Sequence, residues 1–443
     1  MRRAGILLHI SSLPSRGPIG DLGPAAHAFA QWLHAAGCSS WQVLPLNPMG
    51  PALCPYASPS AMAAEPLLIS LDALVEQGLL KPFDAKYTAA TDEALCRRWK
   101  RPLLEKAAKK VKAEVIDEWA HAHPWGEAWA RFRMPKKPRI ELALQALFDQ
   151  QWAALRATCE DLGIELIGDV PIFVSGDGCD ATQHPKLFDR SISTGVPPDY
   201  FSATGQLWGN PHYAWDAHAA EDFAWWTARM QRALEHCHVV RLDHFRGFAA
   251  AWAVPPDAEN AIVGEWVPGP GAVLFDAMGL DADALIAEDL GVITPDVAAL
   301  RQHIGAPGMK ILQFAFGGDG DHAFLPHNFG DPNWVAYTGT HDNDTARGWY
   351  ESAPGAAQHR FRVMNAVSGH DCSWDLIRMT WSTVAERAIA QMQDVLDVGS
   401  AARMNTPGTI EGNWAWRMPH PAPQAAAERL RELAWAFGRL PPG

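Results

Sequence analysis

The sequence predicts an α/β fold, a (β/α)8 TIM barrel with helical and loop insertions. Three observations carry that expectation. Eight short apolar runs of strand length alternate with stretches of helical spacing, the pattern of a parallel sheet. Three of those runs end abruptly in acidic residues, at Asp243, Glu288 and Asp342. Charges are costly to bury unless they pair or work, and the C-terminal ends of barrel strands are where such a fold builds its active site. Finally, 443 residues with 48% apolar and 20% charged side chains suit one barrel with insertions and a large core.

Taken in order, residues 5–10 form the first strand, followed by the Gly/Pro-punctuated loop SSLPSRGPIGDLG. Residues 25–36 have helical spacing and end at Gly37, a suitable C-cap. The second strand is 40–44. A Pro-rich loop follows, NPMGPALCPYASPSAMAAEP, of a length that inside a domain is functional or disordered. Helical spacing starts again at 67–80. Residues 82–140 read as an α-helical insertion, with KKVK and PKKPR as solvated faces and linkers. A strong helix over 140–162 leads into the third strand, 164–173. The stretch 174–215 contains GVPPDYFSATGQLWGNP and reads as a flap loop over a cleft. A helix over 220–235 precedes the fourth strand, HCHVVRL, which runs into RLDHFRG. The fifth, sixth and seventh strands fall at 282–291, 310–316 and 334–338. A helix over 381–387 and the run 388–396 supply the eighth, and a helix over 424–437 closes the chain. The whole of 1–443 is expected to be a single catalytic domain.

Composition narrows the function. A formal charge of −13 argues against nucleic acid or an anionic membrane as partner. No window approaches 18 apolar residues, and the apolar run in MRRAGILLHISS is short for a signal segment and fits the first strand. Seven cysteines without a C-x-x-C pair suggest reduced thiols and a cytoplasmic protein. Most of the twenty tryptophans belong in the core, but flat aromatic faces also stack on sugar rings, so a Trp-rich cleft suits a carbohydrate.

The chemistry gathers at the strand ends. Arg241 lies two residues before Asp243, so both side chains share a strand face, and a guanidinium there keeps a carboxylate ionised, as a nucleophile must be. An isolated R-x-D is most simply a structural ion pair; two further acidic strand ends tip the balance. Cleaving an acetal needs one carboxylate as nucleophile and one carboxylic acid for the leaving oxygen, roughly 5–5.5 Å apart in a retaining enzyme, a spacing adjacent strands supply. Asp289 beside Glu288 is expected to raise one of the two pKa values. His341, beside Asp342, offers a donor to sugar hydroxyls.

RLDHFRGF, IAEDLGVITPDV, TGTHDND, GVPPDYFSATGQLWGNP and ARMNTPGTIEGNW, in that set, resemble the motifs of the 4-α-glucanotransferases called amylomaltases. These are relatives of the α-amylases within a clan of (β/α)8 glycosidases. The resemblance starts at GILLHISSLPSRGPIGDLG and is weakest over about 80–140, where this chain is shorter than usual. It implies transfer of α-1,4-glucan segments between maltodextrins by a retaining double displacement, without cofactor or metal. Asp243 would be the nucleophile, Glu288 the acid/base, and Asp342 with His341 would hold the reacting sugar. Arg241 would orient Asp243, Tyr56 would pack beside the donor glucose, and Asp169 would occupy a further barrel position of the clan. Tyr200, Phe201, Gln206 and Trp208 would line the acceptor side; Asn413 and Trp414 carry no assigned chemistry. The chain departs from the family pattern at Pro51, Leu53, Cys54, Glu65, Gly176 and Thr182, which bears on substrate length and acceptor preference.

Three rivals stand beside this reading. One is a hydrolase of the amylase clan, and another a non-catalytic glucan-binding barrel, which has no use for an acid/nucleophile pair. The third is a metal-dependent barrel hydrolase, but H-x-H occurs only at His121/His123 and His236/His238, away from acidic strand ends. The expected partner is a maltodextrin, with neither nucleic acid nor membrane; the oligomeric state stays open.

Overall fold

A computed structural model describes residues 2–198 and 202–442. Among these, twelve strands form, in chain order β1 (Arg3–Leu7), β2 (Ser40–Gln42), β3 (Glu165–Val170), β4 (Phe188–Val196), β5 (Gln206–Tyr213), β6 (Val239–Leu242), β7 (Ala250–Val254), β8 (Glu265–Pro268), β9 (Leu285–Ala287), β10 (Gly308–Ile311), β11 (Trp334–Tyr337) and β12 (Arg387–Gln391). Eight of them make one parallel sheet in the order β10-β11-β12-β1-β2-β3-β6-β9. Its two ends meet where the Ala287 N–H donates to the Pro307 carbonyl at 2.9 Å, so the sheet curls into a barrel. Alternate residues point inward, and Leu7, Ile167, Val239, Ile286, Met309, Ile311, Val335, Tyr337 and Ile389 fill the interior. Tyr56 and Trp414 pack against that same cluster.

The expected strands are all present, shorter than their apolar runs because the polar ends leave the ladder early. Residues 312–316 turn into a 3-10 segment instead of prolonging the sixth strand. The helix expected over 381–387 is in fact the end of Cys372–Ser382, and Arg387 already pairs in β12. The run 388–396 splits likewise into the rest of that strand and the short helix Met392–Val395. Arg387 starts its strand because its guanidinium meets Glu165 at 2.8 Å at the foot of the barrel. The 220–235 helix breaks into Trp215–Ala220 and Ala224–His236, with Phe223 left-handed between them.

Within 82–140 lie the helices Arg101–Ala108, Ala113–Ala122 and Trp125–Arg133. They dock on the barrel partly through polar links: the Trp119 indole N–H donates to Asp149 at 2.7 Å, and Arg232 grips the same carboxylate. No helix among the described residues is long and apolar enough to cross a membrane.

The stretch 174–215 is not a loop throughout. It holds the hairpin β4–β5, which joins β7 and β8 in a four-stranded antiparallel sheet, order β5-β4-β7-β8. The glycines that suggest a loop serve the hairpin: a Cβ on Gly195 would come within 2.5 Å of the Gln206 carbonyl oxygen, and Gly205 is left-handed at φ 70°. Two excursions, one after β3 and one after β6, thus build this small sheet together. Tyr200 and Phe201 lie outside the described residues.

Candidate active site

Register brings the first carboxylates together. Asp169 pairs with Arg241 across β3 and β6, and Leu242 with Ala287 across β6 and β9. Asp243 and Glu288 therefore leave adjacent strands side by side. Arg241, 3% exposed, donates from Nη1 to both oxygens of Asp169 at 2.9 and 2.8 Å, and its Nη2 meets Asp243 Oδ1 at 2.8 Å. The Tyr56 hydroxyl donates to Asp169 Oδ2 at 2.9 Å, an oxygen Arg241 also contacts. Burial pushes the Asp169 carboxyl up to about 6, against the pull of Arg241. Arg241 thus meets Asp243 from the strand face they share, and it binds Asp169 as well.

Glu288 accepts from the His244 N–H at 2.8 Å and from the Leu290 N–H at 3.0 Å. Burial pushes its carboxyl up to about 8, with Arg241 opposing and the Asp243 charge adding to the rise. Asp289 is the least of the causes, which corrects the expectation that this neighbour drives the shift. Successive strand residues face opposite ways: Asp289 turns out of the site, accepting from the Met309 N–H at 2.8 Å and pairing with Arg301 at 3.2 Å. His244 is left-handed at φ 50°, a costly conformation for a non-glycine residue that concentrates at functional sites. It lets the His244 N–H reach Glu288. The ring is kept neutral, burial bringing its pKa down to about 4, and packs edge-on against Trp208 at 4.7 Å.

Asp342 sits on the turn after β11. Asp394 holds both ends of that turn, accepting from the Thr338 hydroxyl at 2.5 Å and the Ala346 N–H at 2.7 Å. His341 Nε2 lies 3.2 Å from the Asp342 carboxylate and its Nδ1 lies 3.3 Å from the Tyr56 hydroxyl. The ring stacks on Tyr56 at 4.7 Å. Both nitrogens of His341 thus lie within reach of a neighbour, Asp342 on one side and Tyr56 on the other. Burial opposes ionisation of Asp342, but His341, the Asn405 amide and Arg241 outweigh it and hold the carboxyl below the usual range.

Trp208, on β5, lies against His244 and Phe173, and its indole N–H donates to Gln206 at 3.3 Å. The structure thus brings Tyr56, Asp169, Arg241, Asp243, His341, Asp342, Trp208 and Gln206 around one barrel mouth with Glu288. Sequence reasoning missed Asn405, whose amide donates to Asp342 at 2.6 Å, and Arg403, which donates to the Asp342 carbonyl at 2.5 Å. It also left Trp414 without a role, yet this ring closes on Tyr56 and His341 at 5.6 and 5.8 Å. The ARMNTPGTIEGNW motif that holds all three was the available signal. Asn413, by contrast, braces its own loop through Thr406 and Thr409.

A family model described as 4-alpha-glucanotransferase, glycoside hydrolase family 77, matches residues 8–139 and 115–422. The chain belongs to the 4-alpha-glucanotransferase family. It is 40% identical to the 4-alpha-glucanotransferase of Thermus thermophilus, over 99% of each chain. It is 42% identical to a chloroplastic 4-alpha-glucanotransferase of Arabidopsis thaliana, over 99% of this chain and 86% of that one. The amylomaltase of Streptococcus agalactiae, solved in complex with acarbose, superposes with a TM-score of 0.95 at 32% identity over the full length of both chains. The Thermus alignment runs over 496 positions, more than the 443 residues here, so that 4-alpha-glucanotransferase carries segments this chain lacks. The two pieces of the family match overlap at 115–139, inside the helical stretch.

Proposed function

We propose that this chain moves α-1,4-glucan segments from one maltodextrin to another by a retaining double displacement through a glycosyl–Asp243 intermediate. One observation carries this. The Arg241-bound carboxylate of Asp243 stands beside Glu288, whose carboxyl is pushed up to about 8, on the next strand end. At neutral pH one carboxylate is free to attack while its neighbour still holds a proton, the division of labour that a retaining glycosidase needs.

In this reading Asp243 attacks the anomeric carbon as Glu288 gives its proton to the departing glycosidic oxygen. Glu288, now a carboxylate, takes the proton from a hydroxyl of the acceptor sugar, which displaces Asp243 and restores the starting state. Asp342 holds the reacting ring through its distortion, positioned by His341 and Asn405. Tyr56 packs beside the donor glucose. The segment 174–215, with Gln206 and Trp208 on its hairpin, covers the acceptor side. Residues 82–140 are a helical insertion on a single catalytic domain. The amylomaltase solved in complex with acarbose supports a saccharide as the ligand of this chain. All seven cysteines are free thiols, which supports a reducing, cytoplasmic setting.

Water competes with the acceptor for the intermediate. Positioning can be worth about 10⁵–10⁸ M in effective concentration, enough to favour a bound sugar. Incubation with maltotriose, with products separated by chromatography, tests the reading. Transfer gives a ladder of longer and shorter oligomers with no net gain of reducing ends; glucose and maltose with one new reducing end per turnover would mean a hydrolase.

A further inference from the structure

We propose that the rim of the small sheet, centred on Trp266, is an outlying platform for the far end of a long α-1,4-glucan acceptor. The inference rests on the transferase reading above and extends it to acceptor length. Trp252 and Trp266 are direct partners across β7 and β8, so they share one face of the sheet. Their rings meet at 5.2 Å and 64°. Trp252 spends its indole N–H inward, on the Ala261 carbonyl at 3.0 Å, whereas Trp266 is 40% exposed.

That exposure is held in place. The Arg246 guanidinium lies 3.8 Å over the centre of the Trp266 ring and is itself only 7% exposed. Cation–π stacking fixes the indole plane, and the same guanidinium donates to the Val292 carbonyl at 2.6 Å. Ile262 and Val263, just before β8 in the chain, are 51% and 72% exposed, and Val292, whose carbonyl accepts from Arg246, is 63% exposed. An exposed apolar cluster of this kind marks a binding surface more often than chance, and a fixed aromatic plane with aliphatic flanks matches the C–H faces of pyranose rings. The charge of Arg246 is buried under the indole, and the chain carries −13 overall, so a neutral polymer fits better than an anionic one.

Position decides which end of the substrate reaches it. Arg246 follows Asp243 by three residues and Val292 follows Glu288 by four. The acid/base stands at the glycosidic oxygen, so leaving group and acceptor extend past Glu288. The Trp266 rim is joined through Arg246 to Val292, just past the Glu288 strand end.

The test compares KM for glucose and for maltoheptaose as acceptors, with maltotriose as donor, in wild type, Trp266→Ala and Trp266→Phe. Trp266→Ala should raise the maltoheptaose KM by about five- to ten-fold more than the glucose KM, the worth of one lost aromatic contact, with kcat little altered; Trp266→Phe should recover most of the loss. Equal changes for both acceptors, or none, overturn the platform. If Trp266→Ala does not fold, Val263→Asp, on the exposed rim, must show the same dependence on length. A wild type that transfers to neither acceptor sinks the transferase reading itself. The platform is then judged by retardation in native gels containing amylose, where equal mobility of wild type and Trp266→Ala overturns it.

Discussion

Arg241 serves two carboxylates with one guanidinium, Asp169 through Nη1 and Asp243 through Nη2. The Arg241 and Asp169 side chains are 3% and 0% exposed, and breaking such a buried pair by removing one partner leaves the other charge stranded. Arg241→Ala should therefore cost about 3–5 kcal/mol of stability, read by urea denaturation, and remove activity as well; a loss below about 1 kcal/mol would mean the pair is not held as described. Glu288 gives a pH prediction. Its carboxyl ionises near 8 in the folded protein and near 4.5 ordinarily. Between those values the folded chain keeps a proton the unfolded chain has lost, so stability falls as pH rises through that window. Glu288→Gln should accordingly melt above wild type at pH 8, with the gain shrinking towards pH 4.5. Turnover of maltodextrins by wild type should decline as pH passes about 8, while a glucosyl fluoride, which leaves without a proton, should not follow that decline. The raised carboxyl was foreseeable from RLDHFRG and IAEDLG, but its cause was not: Asp289 is next in sequence and faces the other way.

At the scale of elements, the β4–β5 hairpin carries Trp208 onto His244, the residue whose N–H holds Glu288. Trp208→Ala should raise the ratio of reducing ends released to glucosyl units moved, because water then reaches the intermediate more easily; a fall in rate at constant ratio would place Trp208 outside the acceptor side. The helix Gly355–Asn365 ends on Ala366 in the left-handed region at φ 53°. Glycine adopts that conformation without the Cβ penalty, so Ala366→Gly should stabilise by about 0.5–1 kcal/mol, seen as a higher Tm. The barrel strands were legible because each is a short apolar run, three of them breaking into acidic residues. The small sheet was not, since β4 and β5 are largely polar and interrupted by Gly or Pro, and β4 finds its partner β7 only far along the chain. Asn405 and Trp414 were hidden for the same reason. They reach Asp342 and Tyr56 from far along the chain, and only the folded barrel brings them there.

For the whole molecule, β9 pairs with β6 on one side and meets the β10 end through Ala287 and Pro307 on the other. That arrangement puts the Arg241-bound carboxylate next to the high-pKa one, and the small sheet brings Trp208 against His244 beside them. The fold class and the three acidic strand ends were readable from spacing alone. The roles given to them depend on a resemblance of motifs that the full-length relatives support. Covalent transfer through Asp243 is the claim on which the rest depends. Mixing Glu288→Gln with α-maltosyl fluoride lets the intermediate form without an acid and slows its discharge. After acid quench and pepsin digestion, mass spectrometry should find the peptide containing RLDHFRG heavier by one maltosyl group, with fragmentation placing it on Asp243. A label on any other residue, or an unlabelled enzyme that releases maltose of inverted anomeric configuration, would contradict the account.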